Sequence, residues 1–178
     1  MRRYCLALAL LTLVAAGCSS EGPVQPPPDT PWSIPWVQPP LTQPSLTVEQ
    51  LLAAPDSLLV DGMKISTDVY LNRDFMPLSP PEGRPLVGIV YLNGTPPGTF
   101  PDSVSGVYLW AIRDSSEVWS ATMRFQWLEW PNDRRNYYAG EGPLWDPGIL
   151  VDVVIGVRTS PTKVALVLIR DVLIHESI

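Results

Sequence analysis

A chain of 178 residues, 46% of them hydrophobic and 17% charged, has the length of one domain with appendages and enough apolar content for a single core, which excludes a wholly disordered protein. With 18 acidic residues against 12 basic ones and a net charge of −6, it is a poor partner for nucleic acid or anionic lipid headgroups. Its 21 prolines are unevenly spread, and that unevenness divides the chain.

Met1-Arg2-Arg3 is a positive start, and Tyr4 to Val14 is an apolar run interrupted only by Thr12. The run is too short to span a bilayer, which takes roughly 20 apolar residues. It has the length of a signal-peptide hydrophobic region, and Ala15-Ala16-Gly17 supplies small residues at a cleavage site. Ala15-Ala16-Gly17-Cys18 resembles the lipobox of bacterial lipoproteins, with Ala15 where leucine is usual. The resemblance implies that residues 1–17 are removed, that the Cys18 sulfur is acylated, and that Cys18 becomes the first residue. Ser19 follows in place of an inner-membrane retention aspartate, which by the same resemblance favours the outer membrane. The expected location is thus the bacterial cell envelope, and the expected membrane contact is the N-terminal lipid.

Cys5 would leave with the signal, so the remaining chain keeps only Cys18 and forms no internal disulfide. Losing Arg2 and Arg3 lowers the basic count from 12 to 10 against 18 acids, a net charge of −8. Residues 18–44 then read as a lipidated, proline-rich linker. Nine prolines fall among the 24 residues from Glu21 to Pro44, a composition that favours a semi-rigid polyproline II spacer reaching about 70 Å. Trp32 and Trp36, in Pro31-Trp32-Ser33-Ile34-Pro35-Trp36, are unusual in a plain spacer. They suit a contact with the membrane interface, with a partner, or with the chain's own domain.

Residues 45–178 are expected to be one β-rich domain with a short N-terminal helix. Thr47-Val48-Glu49-Gln50 fits a capping box, and Pro55 ends the helix it opens. Period two follows, with Met63, Ile65, Thr67, Val69 and Leu71 alternating with polar neighbours, as in a strand with one buried face. Further strands are expected over 86–92, ending in a turn at Asn93-Gly94, and over 104–113 and 118–127, joined by a hairpin at Asp114-Ser115-Ser116-Glu117. The remaining expected strands are 149–158 and 163–169, joined through Thr159-Ser160-Pro161-Thr162, and 172–177. Many short strands and no long helix predict an all-β fold. The layout resembles an immunoglobulin-like antiparallel β-sandwich, although the Cys, Trp, Cys signature of true immunoglobulin domains is missing, and a small OB-like barrel is the alternative.

Chemistry is sparse. The only histidine, His175, sits in the last expected strand, and no G-x-S-x-G nucleophile elbow occurs. Zinc would require clustered His and Cys, and the acids Asp133, Glu141, Asp146 and Asp152 lack the spacing of a calcium loop. Asn93-Gly94-Thr95 matches a glycosylation pattern but reads better as a turn. No catalytic residue, metal or cofactor is therefore expected.

One constellation rises above this background. Trp127, Trp130, Tyr137, Tyr138 and Trp145 surround Arg134 and Arg135 in the stretch from Phe125 to Gly148, read as a connection between strands. Aromatic planes beside arginine suit sugar faces, peptides and protein hot spots. Trp130, Arg134, Arg135, Tyr137 and Tyr138 are accordingly the candidate ligand contacts, whereas Trp127 and Trp145 suit the core. The expectation is a membrane-anchored, noncatalytic binding or structural module whose partner is an envelope protein or glycan. A carbohydrate- or peptidoglycan-binding module is the first alternative, and a small carboxylate-dependent hydrolase the second.

Overall fold

The computed structural model describes residues 43–97, 100–126 and 134–178, so Cys18, Trp32, Trp36, Trp127, Trp130 and Asp133 lie outside the described residues. The described chain is all-β, with nine strands and one short helix. The helix, α1 (Val48–Leu52), forms as the capping box demands. The Thr47 hydroxyl accepts from the Gln50 amide at 3.2 Å, and the Gln50 side chain accepts from the Thr47 amide at 2.9 Å. Leu51 is the buried residue of this helix.

The strands are β1 (Leu58–Val60), β2 (Met63–Asp74), β3 (Val87–Thr95), β4 (Ser105–Arg113), β5 (Glu117–Thr122), β6 (Arg124–Gln126), β7 (Arg134–Ala139), β8 (Leu150–Ser160) and β9 (Lys163–Ser177). They form one hydrogen-bonded path in the order β5-β4-β8-β9-β2-β3-β7-β6, with β1 beside β2. Every pairing is antiparallel except β2 with β9. The path curls around a core that draws Ile65 and Leu71 from β2, Val90 and Leu92 from β3, Leu109 and Ala111 from β4, Val153 and Ile155 from β8, and Val167 and Ile174 from β9. The opposite side of β4 and β8 is apolar too, with Tyr108, Trp110, Ile112 and Val154 all buried.

Four details depart from the sequence-based expectation. First, β1 and β2 form a hairpin through Asp61 and Gly62, both at positive φ (49° and 80°), the geometry that favours an Asp-Gly turn. Secondly, Asn93-Gly94 is no turn: Asn93 pairs with Ser66 and Arg134, and Gly94 with Ile65, inside the central strand β3. Gly94 serves close packing instead, because a Cβ there would stand 2.5 Å from the Met63 sulfur.

Thirdly, the strand expected over 118–127 divides at Met123. Thr122 still pairs with β4, the Met123 amide donates to the Val107 carbonyl at 2.9 Å, and Arg124 already pairs with Tyr138 of β7. The chain changes ladders within one residue. Fourthly, the two strands expected over 163–169 and 172–177 are the single strand β9, with a bulge at Arg170-Asp171. Asp152 stabilises the bulge, accepting from the Asp171 amide at 3.2 Å and pairing with Arg170 at 3.2 Å while Asp171 takes φ 56°. Beyond the bulge, β9 pairs with β2 in parallel from Leu71↔Ile174 to Asp74↔Ser177.

Candidate functional site

Alternation along β7 sorts the aromatic and arginine residues singled out in the sequence. The segment is a strand rather than a connection, so its side chains point to opposite sides of the sheet. Tyr137 belongs to the core and is 1% exposed. Arg135 is on the same side, donating to the main-chain carbonyls of Val104 and Phe100 and lying 5.3 Å over the Phe100 ring. Arg134 and Tyr138 face outward. Of the five candidate contacts, the structure thus places these two on one outward face, directs Arg135 and Tyr137 to the inner side, and does not describe Trp130. Trp145 is buried in the core as expected.

Burial has a measurable consequence for Tyr137. Desolvation pushes its phenol above the ordinary tyrosine value, while the Gly106 backbone and the Arg135 guanidinium oppose the shift. The folded state therefore holds this proton more tightly than the unfolded chain does. Tyr137 is neutral in both states below about pH 10, so its contribution is constant there and is lost as pH rises beyond that value. Urea midpoints should fall on that alkaline limb, and Tyr137→Phe should flatten the fall. An equally steep limb in the variant would refute the assignment.

The outward side of β2, β3, β7 and β6 is built from residues that the register aligns. Asp68 lies opposite Tyr91, Tyr70 opposite Ile89, and Asn93 opposite both Ser66 and Arg134, while Tyr91 also meets Asn136 and Tyr138 meets Arg124. The Arg134 guanidinium lies 4.3 Å from the centre of the Tyr91 ring and 3.5 Å from the Asp68 carboxylate, to which Asn93 also donates at 2.9 Å. At the β9 side, His175 stacks on Tyr70 with ring centres 4.6 Å apart and planes at 22°. His175 is exposed and Tyr70 is 39% exposed. Asn136 is nearly covered, at 3% exposure, and its Oδ1 has no hydrogen-bond partner among the described residues.

This face continues into a cleft of about 310 Å³ between β5 and β7, lined by Trp119 to Thr122 on one wall and by Arg124, Tyr138, Gly140 and Glu141 on the other. Gly140 packs close to Tyr138 there: a Cβ on it would stand 2.8 Å from the Tyr138 hydroxyl, so that side chain would have to shift. The sequence signalled Arg134 and Tyr138 by clustering, but Asp68, Tyr70, Tyr91 and His175 lie far apart along the chain and only the sheet register unites them.

Among the described residues, no group of three or more His, Cys, Asp or Glu is placed to hold a metal, and no helix is long and apolar enough to cross a membrane. No protein-family model, curated protein or solved structure matches this chain.

Proposed function

We propose that the protein is a noncatalytic binding module of the bacterial cell envelope, held by a lipid on Cys18 and engaging glycan through the outward side of β2, β3, β7 and β6. The observation that carries this reading is one sheet face on which Tyr70, Tyr91, Tyr138 and His175 are interleaved with Asp68, Asn93 and Arg134. Tyrosine rings offer apolar surface at little entropic cost, and the neighbouring amides and charges supply directional hydrogen bonds for hydroxyl groups. Strands hold these groups more rigidly than a loop would.

The reading extends to the architecture, which we take to be an immunoglobulin-like sandwich rather than an OB-like barrel. In its support, β6-β7-β3-β2 follows the D-E-B-A strand order of that fold, and β9-β8-β4-β5 follows G-F-C-C′. A lipobox-type signal and a proline-rich linker support placement on a membrane, with the outer membrane favoured.

Two measurements test the two halves of the proposal. Binding of the protein to a panel of envelope glycans should weaken about five- to tenfold in Tyr70→Ala and in Tyr138→Ala, with thermal stability retained. No binding across the panel would end the glycan reading. Cys18→Ala should move the protein from the membrane fraction to the soluble one, and a variant that still sediments with membranes would end the anchor reading.

A further inference from the structure

We infer that two copies of this chain associate through β5, continuing the sheet across a twofold axis at Ser120. Among the described residues β5 pairs only with β4, so alternate N–H and C=O groups along its other edge have no ladder partner. Edge strands in solitary domains are ordinarily blunted by lysine, proline, a bulge or brevity. β5 has none of these devices: it runs six residues as Glu-Val-Trp-Ser-Ala-Thr, and its only charge is at the hairpin end. The other end of the path, β6, is three residues long and begins with Arg124.

The sequence of β5 is compatible with an antiparallel copy of itself. A twofold axis perpendicular to the sheet requires that facing residues lie on the same side, and centring it on Ser120 meets this condition. Trp119 then faces Ala121 of the partner subunit, and Val118 faces the partner's Thr122, pairing large residues with small ones and placing no like charges opposite each other. Val118 is 41% exposed, and this pairing gives it a neighbour. In the same register Glu117, which already pairs with Arg113 of its own hairpin, falls opposite the partner's Met123, so no like charges meet at either end of the ribbon.

A contact of two six-residue strands is small, so the dimer is weak and concentration dependent. Sedimentation of the full chain carrying Cys5→Ala and Cys18→Ala should give a mass that rises from one to two copies with concentration. In that background Ser120→Lys should weaken association at least about tenfold with the melting temperature unchanged, because it places like charges on the axis. Ser120→Cys should oxidise rapidly to a covalent dimer, since twofold-related Cα atoms in such a pair lie about 4.5–5.5 Å apart, within disulfide reach. Leu59→Cys, on a residue 77% exposed in β1, is the control for random collision. A monomer at every concentration up to about 1 mM, or oxidation of Ser120→Cys no faster than that of Leu59→Cys, overturns the inference.

Discussion

Replacing Arg73 by methionine should cost about 3–5 kcal/mol and lower the melting temperature by roughly 10–15 °C. Arg73 occupies the inward register of β2, after Ile65, Thr67 and Leu71, and is 2% exposed. Its guanidinium forks to three main-chain carbonyls. Nε donates to Arg84 at 2.8 Å, one terminal nitrogen to Trp145 at 3.0 Å, and the other to Glu82. The Phe75 ring lies 4.9 Å away against the guanidinium carbon. A single side chain thus holds the loop between β2 and β3 and the segment leading to β8 against the end of the core. Methionine fills the volume but leaves buried acceptors without donors, which is the costly direction of the exchange. Arg73→Lys should recover only part of the loss, because an ammonium cannot reproduce the planar fork. Thermal melts decide the matter, and a methionine variant within about 2 °C of the parent would mean that the carbonyls find water instead.

Trp145→Ala is the second large effect, expected at about 3–5 kcal/mol. The indole is 7% exposed, belongs to the core cluster, and receives the Arg113 guanidinium at 5.3 Å from its ring centre. The neighbouring chain is tied to β9, with Gly148 donating to Ile174 at 2.8 Å and Ile174 to Ile149 at 3.0 Å. These main-chain bonds limit how far the site can collapse around a deleted ring, so a cavity remains. Since Arg73 grips the carbonyl of this same residue, the two substitutions share a network. The double variant should lose less than the sum of the single ones, by about 1 kcal/mol or more. Strict additivity in urea titrations would show that the ring and the fork act independently.

Much of the fold was legible because short-range chemistry and tertiary placement agree in it. The period-two pattern of β2, the capping box before α1, and the turns around Asp114 and Pro161 all survive in the structure. Where the reading failed, a long-range pairing outweighed a local signal. Asn93-Gly94 has turn chemistry, yet Leu92 is fully buried and the strand is gripped on both sides by β2 and β7. Met123 carries no mark of a ladder change, and Arg170-Asp171 carries none of a bulge, because Asp152 supplies the cause from another strand. Asp61-Gly62 is the exception: its turn chemistry was available locally, and the strand before it is only three residues long.

The candidate site divides in the same way. Clustering of aromatics with arginine singled out residues of β7, of which Arg134 and Tyr138 lie on the outward face. Strand alternation, invisible while the segment was read as a connection, takes Arg135 and Tyr137 inward. Tyr91 and Asp68 belong to the site only through their register with β7, which composition does not encode.

The bulged strand β9 also bears on the time the domain needs to form. Its final residues pair in parallel with the far end of β2, so the ladder joining the two halves of the path requires contact between segments near opposite ends of the described chain. Such a pairing pays nearly the full entropy of loop closure before any of its bonds form, and topologies dominated by distant contacts reach the native state in milliseconds to seconds rather than microseconds. Closure of β2 on β9 therefore waits until β9, the last strand of the described chain, is available.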